Sequence, residues 1–132
     1  MALKDCRVLY VEDEPDTQRL IKQFLEMRTK EVYVASNGKD GLSLYQEKQP
    51  DIVLSDICMP DMDGLEMSEE IKRLNPEQQI ALFTAFSEPE YLQKAAELDI
   101  GTYMLKPFDK DQFFNSLEYL AMIVETNNSL KS

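Results

Sequence analysis

A chain of 132 residues, 43% of them hydrophobic, is the size of one domain and carries enough apolar material to fill a core, which excludes disorder over most of its length. Its 25 acidic against 14 basic residues give a formal charge of -11, and such a surface repels a phosphate backbone, so no direct nucleic-acid partner is expected. No apolar run approaches the roughly 20 residues that span a bilayer, and the opening MALKDC lacks the apolar stretch of a secretory signal, so the reading is a cytoplasmic chain with no membrane partner.

Residues 8–11 (VLYV) are too short for a helix and rich in β-branched and aromatic types, which predicts a first strand. Leu20, Ile21, Phe24 and Leu25 follow at helical spacing. Residues 32–35 (VYVA) predict a second strand, and residues 41–48 a weakly marked second helix. The third strand is expected at 52–54 (IVL), with Leu65, Ile71 and Leu74 marking the helix after it. The fourth is expected at 80–83 (IALF), followed by a helix carrying Leu92, Ala95, Ala96 and Leu98. The fifth is expected at 103–105 (YML), and Phe113, Leu117, Leu120 and Val124 mark a closing helix. The polar residues 126–132 predict a frayed tail, leaving 5–125 as the domain.

Strands that start 20 to 28 residues apart with a helix in each gap cannot be hairpins, and they fit right-handed βαβ crossovers. Their apolar runs lack alternation, as expected where helices cover both faces of a parallel sheet. The fold class is therefore α/β, doubly wound.

Cys6 and Cys58 are too few for a disulfide framework or a structural zinc site and read as free thiols. There is no His, so Ser-His and Cys-His hydrolase chemistry lacks its usual base. Ligands of doubly wound sheets bind outside the carboxyl ends of the strands. There the chain places Glu12-Asp13-Glu14, Ser55-Asp56, Thr84-Ala85 and Lys106-Pro107. Converging carboxylates call for a cation, and Glu12, Asp13 and Asp56 offer the hard oxygen ligands that suit Mg2+. Asp56 is the best-placed nucleophile toward phosphorus, with Lys106 and the Thr84 hydroxyl available to further phosphoryl oxygens.

With VEDE after the first strand, LSDICMPDMDG around the third, TA after the fourth and YMLKPF after the fifth, the chain resembles the receiver domain of two-component response regulators over about residues 5 to 125. The resemblance implies a flavodoxin-like (βα)5 sandwich whose five-stranded parallel sheet has the order 2-1-3-4-5. It implies that Asp56 is phosphorylated by a sensor histidine kinase or phosphotransfer protein. Mg2+ would be held by Asp13, Asp56 and the backbone carbonyl of Cys58, with Glu12 acting mainly through water, while Lys106 and Thr84 contact the phosphoryl group. It also implies a cis Lys106-Pro107 peptide. In the implied switch Thr84 moves toward the phosphoryl group, Tyr103 rotates inward, and the surface of helix 4, strand 5 and helix 5 reports the change, a surface also suited to a homodimer. The chain would then be no enzyme beyond phosphoryl transfer to its own Asp56 and self-dephosphorylation, with an output domain or downstream protein outside it. Cys58 and Phe86, two residues after Asp56 and Thr84, orient a hydrolytic water poorly and predict slow self-dephosphorylation.

Three rival readings fit less well. A haloacid dehalogenase-like phosphohydrolase needs a second Asp where Cys58 stands, and a flavodoxin would not place Glu12-Asp13-Glu14-Pro15 against a flavin phosphate. A receiver-like module that is never phosphorylated usually lacks one of the site residues. Single residues also have plain readings. Glu12 to Glu14 suit the start of a helix with Pro15 at its first position, Met59, Met62 and Met67 suit core filling or loops, and Tyr103 suits a core.

Overall fold

The computed structural model describes residues 2–59, 61–84, 89–106 and 108–131, apart from the side chains of Pro89 and Lys131. A short turn at Leu3–Asp5 leads into β1 (Arg7–Val11), α1 (Pro15–Arg28), β2 (Glu31–Ala35), α2 (Gly38–Lys48) and β3 (Ile52–Asp56). Then come α3 (Gly64–Leu74), β4 (Gln79–Thr84), α4 (Pro89–Glu97), β5 (Thr102–Leu105) and α5 (Lys110–Lys131). The strands form one parallel sheet in the order β2-β1-β3-β4-β5, the flavodoxin-like arrangement expected.

Side chains that alternate along each strand feed two separate cores. On the face covered by α1 and α5 lie Val8, Tyr10, Ile52, Leu54, Ala81 and Phe83, packed with Ile21, Leu25, Phe113 and Leu117. On the other face Leu9, Val11, Val53, Ile80 and Leu82 meet Tyr45, Leu65, Met67, Ile71 and Ala95. Because both faces are buried, β1 and β3 read as continuous apolar runs even though neighbours point opposite ways.

Three local devices bring the strand ends into register. Glu14 caps α1 by accepting from the Asp16 and Thr17 N–H groups ahead of Pro15 in the first turn. Asp63 and Glu66 form a reciprocal capping box at the start of α3. Two glycines let the β3–α3 loop sit close. A Cβ at position 64 would lie 2.1 Å from the Asp56 carbonyl oxygen, and one at position 38 would lie 2.2 Å from the Met62 carbonyl oxygen. In the same loop Asp61 adopts a left-handed φ of 66°, which Asp tolerates better than most residues.

Three expectations are corrected. The residues taken as a frayed tail continue α5 to Lys131; the Thr126 hydroxyl donates to the Met122 carbonyl, and Asn127 and Asn128 line a cavity of about 100 Å3 with Asp51 and Gln78. The segment is mostly exposed and continues a helix whose earlier turns, at Leu117, Leu120 and Val124, are packed in the core. Leu74, assigned to the buried stripe of α3, is the last residue of that helix and is exposed, as is Leu20 on α1. Asp56 and Thr84, expected just past their strands, are the last residues of β3 and β4.

Candidate functional site

The strand ends bring Glu12, Asp56, Thr84 and Lys106 to the carboxyl edge of the sheet, where the first three are at most 6% exposed. The sequence reading singles out these four residues, and the structure brings them to one edge, Asp56 and Thr84 as the last residues of their strands. Lys106 crosses from the end of β5 to donate to Asp56 Oδ2 at 2.9 Å, with its Nζ 3.9 Å from Glu12 Oε1. Its own backbone N–H donates to the Thr84 carbonyl, which ties the β5 end to that of β4. The Ile57 N–H donates to Asp56 Oδ1 at 3.0 Å and fixes the carboxylate from the other side.

Oxygens of Glu12, Asp13 and Asp56 lie within 4.8 Å of one another, Asp13 on the solvent side. This crowding is electrostatically costly. Burial, then the charge of Asp56, pushes the Glu12 carboxyl up to about 7. Burial pulls the Lys106 ammonium down, but the hydrogen bond and charge of Asp56, with Glu12 and Asp13 behind, outweigh it and hold the group above its usual range. One lysine thus faces three carboxylates. An all-oxygen set carrying surplus negative charge fits a hard divalent ion such as Mg2+, so the residues present agree with the cation the resemblance implies.

The other sequence assignments divide. Glu14 stands apart from the cluster as the cap of α1. Cys6 is buried, and burial pushes its thiol up to about 11, so it is inert. Cys58 is exposed, with its thiol 3.7 Å from the Tyr91 hydroxyl on α4. Met67 is buried in the core while Met59 and Met62 pack at its margin. Tyr103 is 41% exposed on β5. Ala85, Phe86 and the Lys106-Pro107 peptide fall outside the described residues.

One neighbour of the site escaped the sequence reading. Tyr10, fully buried in β1, lies with its hydroxyl 3.5 Å from Glu12 Oε1. The signal was available: residues two apart on a strand share a face, and only the apolar company of Tyr10 disguised it as plain core.

Comparison with known proteins agrees with this geometry. The family model described as response regulator receiver domain matches residues 8–118. Chemotaxis protein CheY of Halobacterium salinarum is 32% identical over 111 residues, which cover 84% of this chain and 92% of that protein. Regulatory protein AtoC of Escherichia coli is 34% identical over 106 residues, 80% of this chain but only 23% of that longer protein. Among solved structures, a CheY-like response regulator receiver domain protein from Methanospirillum hungatei superimposes with a TM-score of 0.86 at 25% identity, covering 92% of this chain and 98% of that one.

Proposed function

The chain belongs to the response regulator receiver family of two-component systems, and on that premise we propose that Asp56 accepts a phosphoryl group from a sensor histidine kinase or phosphotransfer protein, with Mg2+ as cofactor. The observation that carries this reading is the placement of Asp56 at the end of β3, 2.9 Å from the Lys106 ammonium and within 4.8 Å of the carboxylates of Glu12 and Asp13. Asp13, Asp56 and the Cys58 backbone carbonyl would hold the ion, with Glu12 acting mainly through water. When bound, Mg2+ supplies positive charge that neutralises the crowded carboxylates and polarises a phosphoryl oxygen.

The chain's own groups do the rest. A carboxylate oxygen of Asp56 forms a bond to phosphorus as the phosphorus–nitrogen bond of a phosphohistidine breaks, and the departing imidazole nitrogen keeps the bonding pair. The Ile57 N–H holds the carboxylate rotamer through this step. Lys106 transfers its contact from Asp56 to a phosphoryl oxygen, and the Thr84 hydroxyl donates to another. Phosphorylation then draws Thr84 inward and Tyr103 rotates into the space vacated. The α4-β5-α5 surface changes with them, which a few kcal/mol of differential contact can drive. In self-dephosphorylation a water oxygen bonds to phosphorus as the bond to the Asp56 oxygen breaks, the carboxylate leaving with the bonding pair and the water proton passing to solvent; Cys58, turned toward Tyr91, offers that water little help.

The working unit is residues 5–125, acting in the cytoplasm; among the described residues no helix is long and apolar enough to cross a membrane. The chain spans 23% of AtoC and 60% of DctR from Bacillus subtilis, so its output is an attached domain or a separate downstream protein. A phosphorylation-dependent homodimer would form through α4-β5-α5; sedimentation of a monomer with and without a phosphoryl analogue excludes it. The central test incubates the chain with Mg2+ and acetyl phosphate and reads intact mass beside Asp56→Asn. One added phosphate is expected, absent from the variant and absent without Mg2+; addition to the variant overturns the assignment.

A further inference from the structure

Glu12 is held by three donors, none of them close. Glu14 N–H donates to Oε2 at 3.3 Å, while Oε1 faces the Tyr10 hydroxyl at 3.5 Å and Lys106 Nζ at 3.9 Å. The donors differ in what else they must do. Lys106 is shared with Asp56 and, on the reading above, moves to the phosphoryl group during the reaction. Tyr10 is rooted in β1 and fully buried in the core shared with α1 and α5, and among the described residues its hydroxyl meets Glu12. A buried tyrosine hydroxyl needs a partner, and burial with the charge of Glu12 beside it holds this phenol above its usual range, so it stays a donor.

We propose that Tyr10 is a positioning residue for the metal site: its hydroxyl holds the Glu12 carboxyl group in its site-facing orientation and remains on it when Lys106 leaves. This inference rests on the assignment of Glu12 to the Mg2+ site and adds a residue that touches neither ion nor phosphoryl group. Phe at position 10 would fill the same core volume and remove only the donor. Glu12 would then be left in a buried position with the backbone N–H of Glu14 and a departing Lys106. A carboxylate that loses the donor on Oε1 can turn away from the site, and binding Mg2+ must then restore its orientation.

Mg2+ binding is measured by calorimetry at neutral pH on the unaltered chain, Tyr10→Phe, Glu12→Gln and the double variant, without phosphodonor. Tyr10→Phe is expected to weaken Mg2+ binding by about three- to tenfold, the range of one modest hydrogen bond to a charged group. In the Glu12→Gln background the same change is expected to have no further effect, because Tyr10 acts only by orienting the Glu12 carboxylate. Tyr45→Phe serves as the control. Its hydroxyl is also buried but donates to Gln78 Oε1 at 3.0 Å at the other end of the sheet, so it is expected to lower thermal stability and leave Mg2+ affinity unchanged. Equal Mg2+ affinity of Tyr10→Phe and the unaltered chain overturns the inference while leaving the receiver reading intact, as does an equal loss in the Glu12→Gln background. An unaltered chain that binds no Mg2+ overturns the metal assignment and this inference together.

Discussion

The two ends of one parallel sheet are built to opposite rules. At the amino edge the buried polar side chains are paired at ordinary hydrogen-bond distances. Gln78, 5% exposed, accepts from the Tyr45 hydroxyl at 3.0 Å and donates to the carbonyls of Asp51 and Gln79 at 3.0 and 3.2 Å. Beside it Asp51 accepts from the Arg7 N–H, and the Arg7 guanidinium donates to the last carbonyls of α2. At the carboxyl edge two buried carboxylates share one lysine, and contacts to Glu12 range from 3.3 to 3.9 Å. The amino edge is where the fold is held. The carboxyl edge keeps an electrostatic conflict, as expected of a site for the cation and the phosphoryl transfer proposed above.

The contrast can be broken at its strongest point by Gly64→Ala. The added methyl would have to displace the Asp56 carbonyl, costing about 2–3 kcal/mol of stability by analogy with overpacked cores, and moving the phosphoacceptor as well. Urea denaturation and phosphorylation by acetyl phosphate should fall together. Gln78→Ala attacks the other edge alone. It leaves the Tyr45 hydroxyl and the Asp51 carbonyl without this partner, so about 1–3 kcal/mol of stability should be lost in urea while Mg2+ affinity stays unchanged.

The pH dependence separates the edges further. Because Glu12 sits above its ordinary 4.5, at about 7, the folded chain holds a proton that the unfolded chain has released between those values. Its contribution to stability is therefore complete below about 4.5 and lost as pH rises through about 7. Without Mg2+, urea midpoints at pH 5 and pH 8 should differ in that direction, and Glu12→Gln should flatten the difference. Added Mg2+ should reverse it, since the ion needs the ionised carboxylates. The smallest effect belongs to Cys58→Asn. A polar group two residues from Asp56 can orient water, so loss of radiolabelled phosphate should quicken a few-fold with stability unchanged.

Most of the carboxyl edge was legible because each site residue follows an apolar run, and runs separated by helices bring their ends to one side. Sheet order and the positions of Asp56, Thr84 and Lys106 followed from that arithmetic together with the family resemblance. The amino edge was not legible. Tyr45 and Gln78 are 33 residues apart, and nothing local in either marks the other as its partner. The helical state of residues 126–131 was hidden because the segment is polar and mostly exposed, and only the packed turns before it, at Leu117, Leu120 and Val124, carry an apolar pattern. Tyr10 lies between these cases, visible by strand alternation yet masked by its apolar neighbours.

The length of α5 has a mechanical consequence. Its 22 residues extend about 33 Å, roughly twice the span of a five-residue strand, so it runs past the sheet at the amino edge. Its first turn lies just after Lys106, and Leu130 near its far end is 82% exposed. Pivoted at Lys110, a tilt of about 5° would carry Leu130 through about 2.5 Å, given the 1.5 Å rise per residue. A small rotation at the end of α5 that follows Lys106 is therefore amplified at the end that reaches solvent on the opposite side of the domain.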